Sequence, residues 1–112
     1  MLKKNVLRNQ KDFDAVYRKG KSAANRYIVI FYRKNRLGYT RTGYLASKKI
    51  GNSVMRNRAR RLMKEAFRTS GLTLPDGYDF VIIARKPITE AKCQDVRKSL
   101  NSVLKRTGVM EK

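Results

Sequence analysis

The chain has 112 residues, and 28 Lys and Arg against 8 Asp and Glu give a net charge of +20. That length fits one domain, the 41% hydrophobic share is enough for one core, and so large a charge destabilises a compact fold unless a polyanion is its normal neighbour. With no histidine and one cysteine, the chain has no imidazole base, no Ser-His or Cys-His nucleophile pair, no internal disulfide and no Cys-rich metal cage.

Residues 9–19 read as a short helix: Asn9 can cap it, Phe13, Val16 and Tyr17 share a face, and Gly20 ends it. After a polar link, Tyr27 to Tyr32 is a β-branched and aromatic run suited to a strand. Alternation puts Tyr27, Val29 and Phe31 on one side and Ile28, Ile30 and Tyr32 on the other. A basic loop around Gly38 leads to a second strand over Arg41–Lys48, and a hairpin is the simplest link between the two. Gly51-Asn52-Ser53 offers a cap for a strong helix running to about Thr69, with Gly71 as its stop. Pro75-Asp76-Gly77 marks a turn before a third strand, Phe80–Ala84, closed by Pro87. Thr89 can cap a last helix whose apolar stripe is Cys93, Val96, Leu100, Val103 and Leu104. The ends are polar. The predicted class is α+β, a single-domain sandwich in the order α-β-β-(β)-α-β-α, the bracketed strand being a short extra one split from the first two.

No stretch approaches the roughly 20 apolar residues of a membrane span. Met1-Leu2-Lys3-Lys4 has charge but lacks the apolar run of a secretory signal. With a lone cysteine, a reducing, cytoplasmic setting is expected. Cys93, on an amphipathic helix, reads as a small core residue. Asp12 and Asp14 diverge on a helix, Asp76 and Asp79 flank a turn, and the other four acids are scattered. Convergent carboxylates for a two-metal nuclease are therefore not expected, and no protein metal site is predicted.

The strongest signal is the helix from Val54 to Arg68. At about 100° per residue, Met55, Ala59, Leu62, Met63 and Ala66 share one arc, with Phe67 at its edge. Asn57, Arg60, Arg61, Lys64 and Arg68 occupy the neighbouring arc, where only Glu65 offers the opposite sign. Like charges at i, i+4 cost a few tenths of a kcal/mol per pair, a penalty that an outside polyanion removes. Arginine predominates, and its planar fork suits phosphate. The pattern alone does not separate RNA from DNA. A ribosomal-type RNA-binding protein is compatible with this composition. A DNA reader in the major groove lacks a helix-turn-helix pair and dimerisation heptads. A membrane-active helix is the weakest alternative, since the apolar face is needed for the core.

Arg56-Asn57-Arg58-Ala59-Arg60-Arg61-Leu62, preceded by Ser47-Lys48-Lys49-Ile50-Gly51-Asn52, closely resembles the basic signature of the bacterial ribonuclease P protein subunit. Asp12-Phe13 with Tyr17, Gly20, Ala24-Asn25-Arg26, Gly43 and Ile83-Ala84-Arg85-Lys86-Pro87 extend the resemblance over nearly the whole chain. The resemblance implies a ribonucleoprotein that removes the 5′ leader of precursor tRNA, in which a large catalytic RNA hydrolyses the phosphodiester with Mg²⁺. It also implies a left-handed βαβ crossover, against the usual hand. Catalytic-RNA contacts implied are Arg56, Asn57, Arg58, Arg60, Arg61, Lys64 and Arg68, with Lys48, Lys49, Gly51 and Asn52 leading in and Asn25 and Arg26 nearby. The leader cleft implied is built from Phe13, Tyr17 and Phe31, with Ala84 close by. Stacking faces beside a basic groove are what a single strand needs, although the i, i+3, i+4 spacing of Phe13 equally describes a buried stripe. One protein per RNA is implied, with dimerisation of the holoenzyme left open. Leu45 stands close to a position where many members carry a hydroxyl, and Tyr17 where phenylalanine is frequent. The loop Lys34–Arg41 matches no fixed pattern and is assigned no role.

Affinity for RNA is expected to fall steeply with salt, each neutralised phosphate adding about 0.7–0.9 to the log–log slope. A filter-binding series across ionic strength checks this, and a flat dependence would refute a basic binding face.

Overall fold

The structure, a computed structural model, describes residues 6–7 and 9–109, so the outermost polar residues lie outside it. Asn9 caps α1 (Gln10–Lys19) by accepting from the Lys11 amide at 2.9 Å, and Gly20 closes it with a bond to the Val16 carbonyl. Then follow β1 (Lys21–Ala24), β2 (Ile28–Lys34), β3 (Arg41–Leu45), α2 (Ser53–Arg68), β4 (Tyr78–Ala84), a 3₁₀ turn (Lys86–Glu90) and α3 (Cys93–Thr107). The extra strand foreseen in the sequence exists, but it occupies the polar link before β2 rather than splitting from the first two strands.

The four strands form one sheet in the order β1-β2-β4-β3. β2 and β3 are therefore not a hairpin. β4 lies between them, antiparallel to β2 and parallel to β3. The reason is burial: Phe80, Val81, Ile82 and Ala84 are all buried, and a continuous apolar run needs cover on both faces and so a central place. β3, carrying Arg41, Thr42 and Gly43, suits an edge. The hairpin of this chain is β1–β2. The parallel pair makes β3–α2–β4 the βαβ crossover.

Alternation sorts the core into two layers. Ile28, Ile30, Phe80, Ile82 and Ala84 pack under α2 and α3 with Ala59, Met63, Ala66, Val96, Leu100, Val103 and Leu104. On the other face Val81, with Phe31, Leu45 and Ile83, meets Val16, Phe13 and Tyr17 of α1. Tyr27 departs from the expected alternation: it precedes β2 and packs towards the α2–α3 core. Thr89 does not cap the last helix either. It lies inside the 3₁₀ turn, its hydroxyl donating to the Lys86 carbonyl. Lys92 is the cap residue, its amide donating to the Asp95 carboxylate at 2.9 Å. Cys93 is partly buried against the helical core, free and at the first position of α3.

Gly43 gives the Phe13 ring its place: a Cβ there would lie 2.9 Å from Cε1 of Phe13 and push the ring away. α1 thus sits with Phe13 directly on the backbone of the edge strand. One polar cluster pins the same helix. Arg41 donates to both oxygens of buried Asp79, at 2.8 and 2.7 Å, and to Asp12 of α1 at 3.0 Å. Asn35 donates to Asp79 at 2.8 Å, which ties down the loop between β2 and β3. Asp79 is the second residue of β4, just beyond the Asp76–Gly77 turn, and together with Asp12 it holds the Arg41 guanidinium firmly protonated against the opposing effect of burial.

Arg41→Ala leaves Asp79 buried without its main partner and is expected to lower stability by about 3 kcal/mol. Asp12→Ala, at the more exposed end, should cost at most about 1 kcal/mol. Urea denaturation of both variants checks this ranking, and equal small losses would show that the cluster does not hold the fold.

Candidate nucleic-acid interface

The approach to α2 is a tight turn anchored from below. Ile50 is buried, and its amide bonds to the Ser47 carbonyl at 3.0 Å, which leaves Lys48 and Lys49 exposed. Gly51 has φ +143°, a conformation that L side chains rarely adopt, and a Cβ there would meet the Met55 sulfur at 2.5 Å. Asn52 then caps α2, accepting from the Met55 amide at 3.0 Å. Its side chain is therefore occupied within the protein.

Ala59, Met63 and Ala66 bury one face of α2, whereas Met55 stays 40% exposed and folds back over Gly51. The helix carries six cations to one acid, in varied settings. Arg60 is bonded to Asn57, and Arg68 to Glu65, so Arg68 holds Glu65 below the usual carboxylate range. Arg58 reaches the carbonyls of Thr89 and Ala91 at 3.4 and 3.5 Å, bracing the helix against the 3₁₀ turn. Arg56 donates to Ser53 at 3.3 Å, and its Nε is buried with no acceptor among the described residues. Arg61 is exposed without a protein acceptor among the described residues, and Lys64 lies 6.0 Å from the ring centre of Tyr44.

Asn25 and Arg26 sit in the β1–β2 turn and differ in kind. The Asn25 amide donates to the Ser99 carbonyl at 3.2 Å and accepts from Tyr27 and Ile28 amides, so it builds the turn. Arg85 donates to the Asn25 carbonyl at 2.7 Å, and Arg106 to that of Ala24. Arg26 is exposed, its guanidinium 5.6 Å from the Tyr27 ring centre. Of the pair, Arg26 has the free hydrogen-bonding capacity.

Phe13, Tyr17 and Phe31 come together on the α1 face, all partly buried, with Tyr17 edge-on to Phe31 at 5.1 Å. Burial, aided by Asp14, holds the Tyr17 phenol protonated. Ala84 is not with them. Its methyl group lies in the helical core on the opposite face of the sheet, and Ile83 and Leu45 are the side chains beside Phe31. The period of two along β4 is the signal that distinguishes Ile83 from Ala84. Ala84 does help line an open groove of about 620 Å³ with Ser47, Lys49, Ile83, Arg85 and Lys86. This groove joins the α1 face, through Ile83, to the basic turn before α2. Arg85 and Lys86, part of the Ile83–Pro87 segment that resembles the family, bring two cations to this groove beyond those implied by the resemblance.

Among the described residues no three of His, Cys, Asp and Glu gather as a metal site, and no helix is long and apolar enough to cross a membrane.

A family model described as Ribonuclease P matches residues 1–108. The ribonuclease P protein component of Pelotomaculum thermopropionicum is 47% identical over 104 residues, 93% of each chain. That of Clostridioides difficile is 44% identical, covering 92% of this chain and 91% of its own. The solved Staphylococcus aureus RNase P protein superposes with a TM-score of 0.84 at 33% identity, over 97% of this chain and 100% of that one. The Thermotoga maritima RNase P protein gives 0.78 at 36%, over 90% and 96%. Crossovers of opposite hand could not superpose so completely, so β3–α2–β4 has the hand of those structures.

Tyr44, beneath Lys64, has its phenol pushed up to about 12 by burial, against a hydrogen bond with Thr42 that lowers it. Between pH 10 and 12 the unfolded chain releases this proton and the folded chain retains it, so stability should fall as pH rises through that window. An ultraviolet titration should show a late tyrosine component that Tyr44→Phe removes; its absence in the wild type would show that the ring is not buried under α2.

Proposed function

The chain belongs to the bacterial ribonuclease P protein family, and on that premise we propose that it holds the catalytic RNA and the 5′ leader of precursor tRNA in a cytoplasmic ribonucleoprotein that trims the tRNA 5′ end. The observation that carries this reading is the exposed face of α2, six cations to one acid on a helix whose other face is buried. Arg61, Lys64 and the freer donors of Arg56 and Arg60 neutralise RNA phosphates, continued by Lys48 and Lys49 before the helix and by Arg26 across the β1–β2 turn. Gly51, Asn52 and Asn25 shape the backbone that presents those cations. Arg58 and Arg68 add charge while also serving the protein's own contacts.

The leader runs over the α1 face, its bases meeting the exposed parts of Phe13, Tyr17 and Phe31, beside Ile83. The groove through Lys49, Arg85 and Lys86 carries its backbone towards α2. The work of the protein is binding and orientation, and phosphodiester hydrolysis belongs to the RNA. Mg²⁺ supplies the charge stabilisation for that hydrolysis. The donor set of the described residues does not fit the ion: no three of the acids gather, and Asp12 and Asp79 are held by Arg41, Glu65 by Arg68 and Asp95 by the Lys92 amide. One protein per RNA completes the assembly.

Cleavage of precursor tRNA at low Mg²⁺, by a bacterial ribonuclease P RNA with and without this protein, tests the proposal. Strong stimulation yielding mature tRNA and intact leader is expected, and binding without stimulation would overturn it in favour of a general RNA-binding role. The roles also separate by substitution. Arg60→Ala with Arg61→Ala should weaken assembly with the RNA and lower the salt slope by roughly 1.4–1.8, two phosphates' worth. Phe13→Leu with Phe31→Leu keeps apolar packing and should cost long-leader substrates roughly 1–3 kcal/mol per lost stacked base. Equal effects of both pairs in both assays would refute the division.

A further inference from the structure

A second cavity, of about 370 Å³, opens at the end of the sheet away from the turn that precedes α2. It lies where the C-terminal ends of α1 and α3 meet the start of β1, the end of β2 and the start of β4. Lys19, Lys21, Arg33 and Lys34 line it together with Tyr32 and Tyr78. The register explains the convergence: Lys21 stands opposite Tyr32, and Lys34 opposite Tyr78, six positions along from the Ile28–Ala84 pair at the groove end. No acidic side chain lines this cavity, and among the described residues none of its four cations makes an ion pair. The carbonyl ends of two helices favour cations, but α1 already has Arg18 and Lys19 in its last turn, and α3 has Lys105 and Arg106. Helix ends therefore do not account for Lys21, Arg33 and Lys34.

The floor is rigid and aromatic. Tyr32 and Tyr78 each stack on buried Phe80, with ring centres 6.3 and 5.6 Å away. Lysines without an ion pair among the described residues, beside two phenol rings, suit a ligand with negative charge at one end and a flat polar ring at the other. The volume is in the range of small-ligand pockets.

We propose that this cavity binds a phosphorylated nucleoside, its phosphate held by Lys21 and Lys34, which share the face of Tyr32 and Tyr78, and its base against those two rings. The ligand is either one nucleotide of a single-stranded RNA or a free nucleotide, since both present the same chemistry. The site lies apart from α2 and from the α1 face, and it stands whether or not their proposed roles hold.

The test is an amide NMR titration of the full chain with uridine 5′-monophosphate, uridine, inorganic phosphate and tetrauridylate. Uridine 5′-monophosphate should shift Gly20, Lys21, Lys34, Tyr78 and Gly108, and more strongly than uridine or phosphate. Lys21→Glu with Lys34→Glu should weaken its binding roughly tenfold or more, and neither residue touches the core under Phe80. Shifts confined to α2, an equal response to inorganic phosphate, or unchanged affinity in the double variant would each overturn the proposal. Tetrauridylate binding tenfold tighter than the mononucleotide identifies an RNA strand as the occupant; equal affinity identifies a free nucleotide, and either upholds the pocket.

Discussion

Two-sided burial of β4 is the constraint on which this molecule is built. Val81 faces α1, while Phe80, Ile82 and Ala84 face α2 and α3, so the strand is covered only if helices lie on both sides and strands on both edges. That requirement separates β2 from β3, and the return of the chain through α2, which covers one face, makes β3 a parallel neighbour. The two ends of β4 are then put to different uses. Asp79 at the start receives Arg41 and Asn35 and ties α1 and a loop to the sheet. Ile83 and Ala84 at the finish open into the groove that continues to the basic turn.

Electrostatics follows a complementary division. The carboxylates of Asp12, Asp79, Glu65 and Asp95 are engaged inside the protein by a cation or an amide. The exposed cations of α2, of the turn before it and of the cavity at the far end of the sheet are left with few internal counter-charges. Self-repulsion of this kind is relieved by an external polyanion. The uneven engagement of the α2 cations gives a graded surface, in which Arg61 has no protein acceptor among the described residues and Arg58 is braced by backbone carbonyls.

Much of this was legible in the sequence. The caps Asn9 and Asn52, the amphipathic division of α2 and the stripe of α3 follow from local rules that tertiary packing did not override. Strand partners were less legible, because pairing is a long-range choice: a hairpin between β2 and β3 is locally the simplest link, and only the five-residue apolar run of β4 argues that it intervenes. Thr89 offers a hydroxyl in a suitable place, but Pro87 starts a 3₁₀ turn that takes it over. The family resemblance alone places Ala84 close to the leader cleft; alternation along β4 puts its methyl group on the helical side and Ile83 beside Phe31, while both line the groove. The Arg41–Asp79–Asp12 cluster joins residues up to 67 positions apart, and no local pattern announces it.

The insertion of β4 between β2 and β3 also sets an order of assembly. β1 and β2 can pair as soon as both exist, since their hairpin is local. β3 touches the N-terminal segment through the Val6–Thr42 bridge, but it finds its one long partner among the described residues, β4, only after the whole of α2 and the following turn have been made. During synthesis from the N-terminus, the six cations of α2 therefore leave the ribosome before the strand that completes the sheet beneath them. Non-local pairing of this kind is the slow part of folding. The nascent chain thus passes through an interval in which its most basic segment is available to RNA while the long partner of its edge strand is still to be made, so that a polyanion can reach the helix before the tertiary fold is closed.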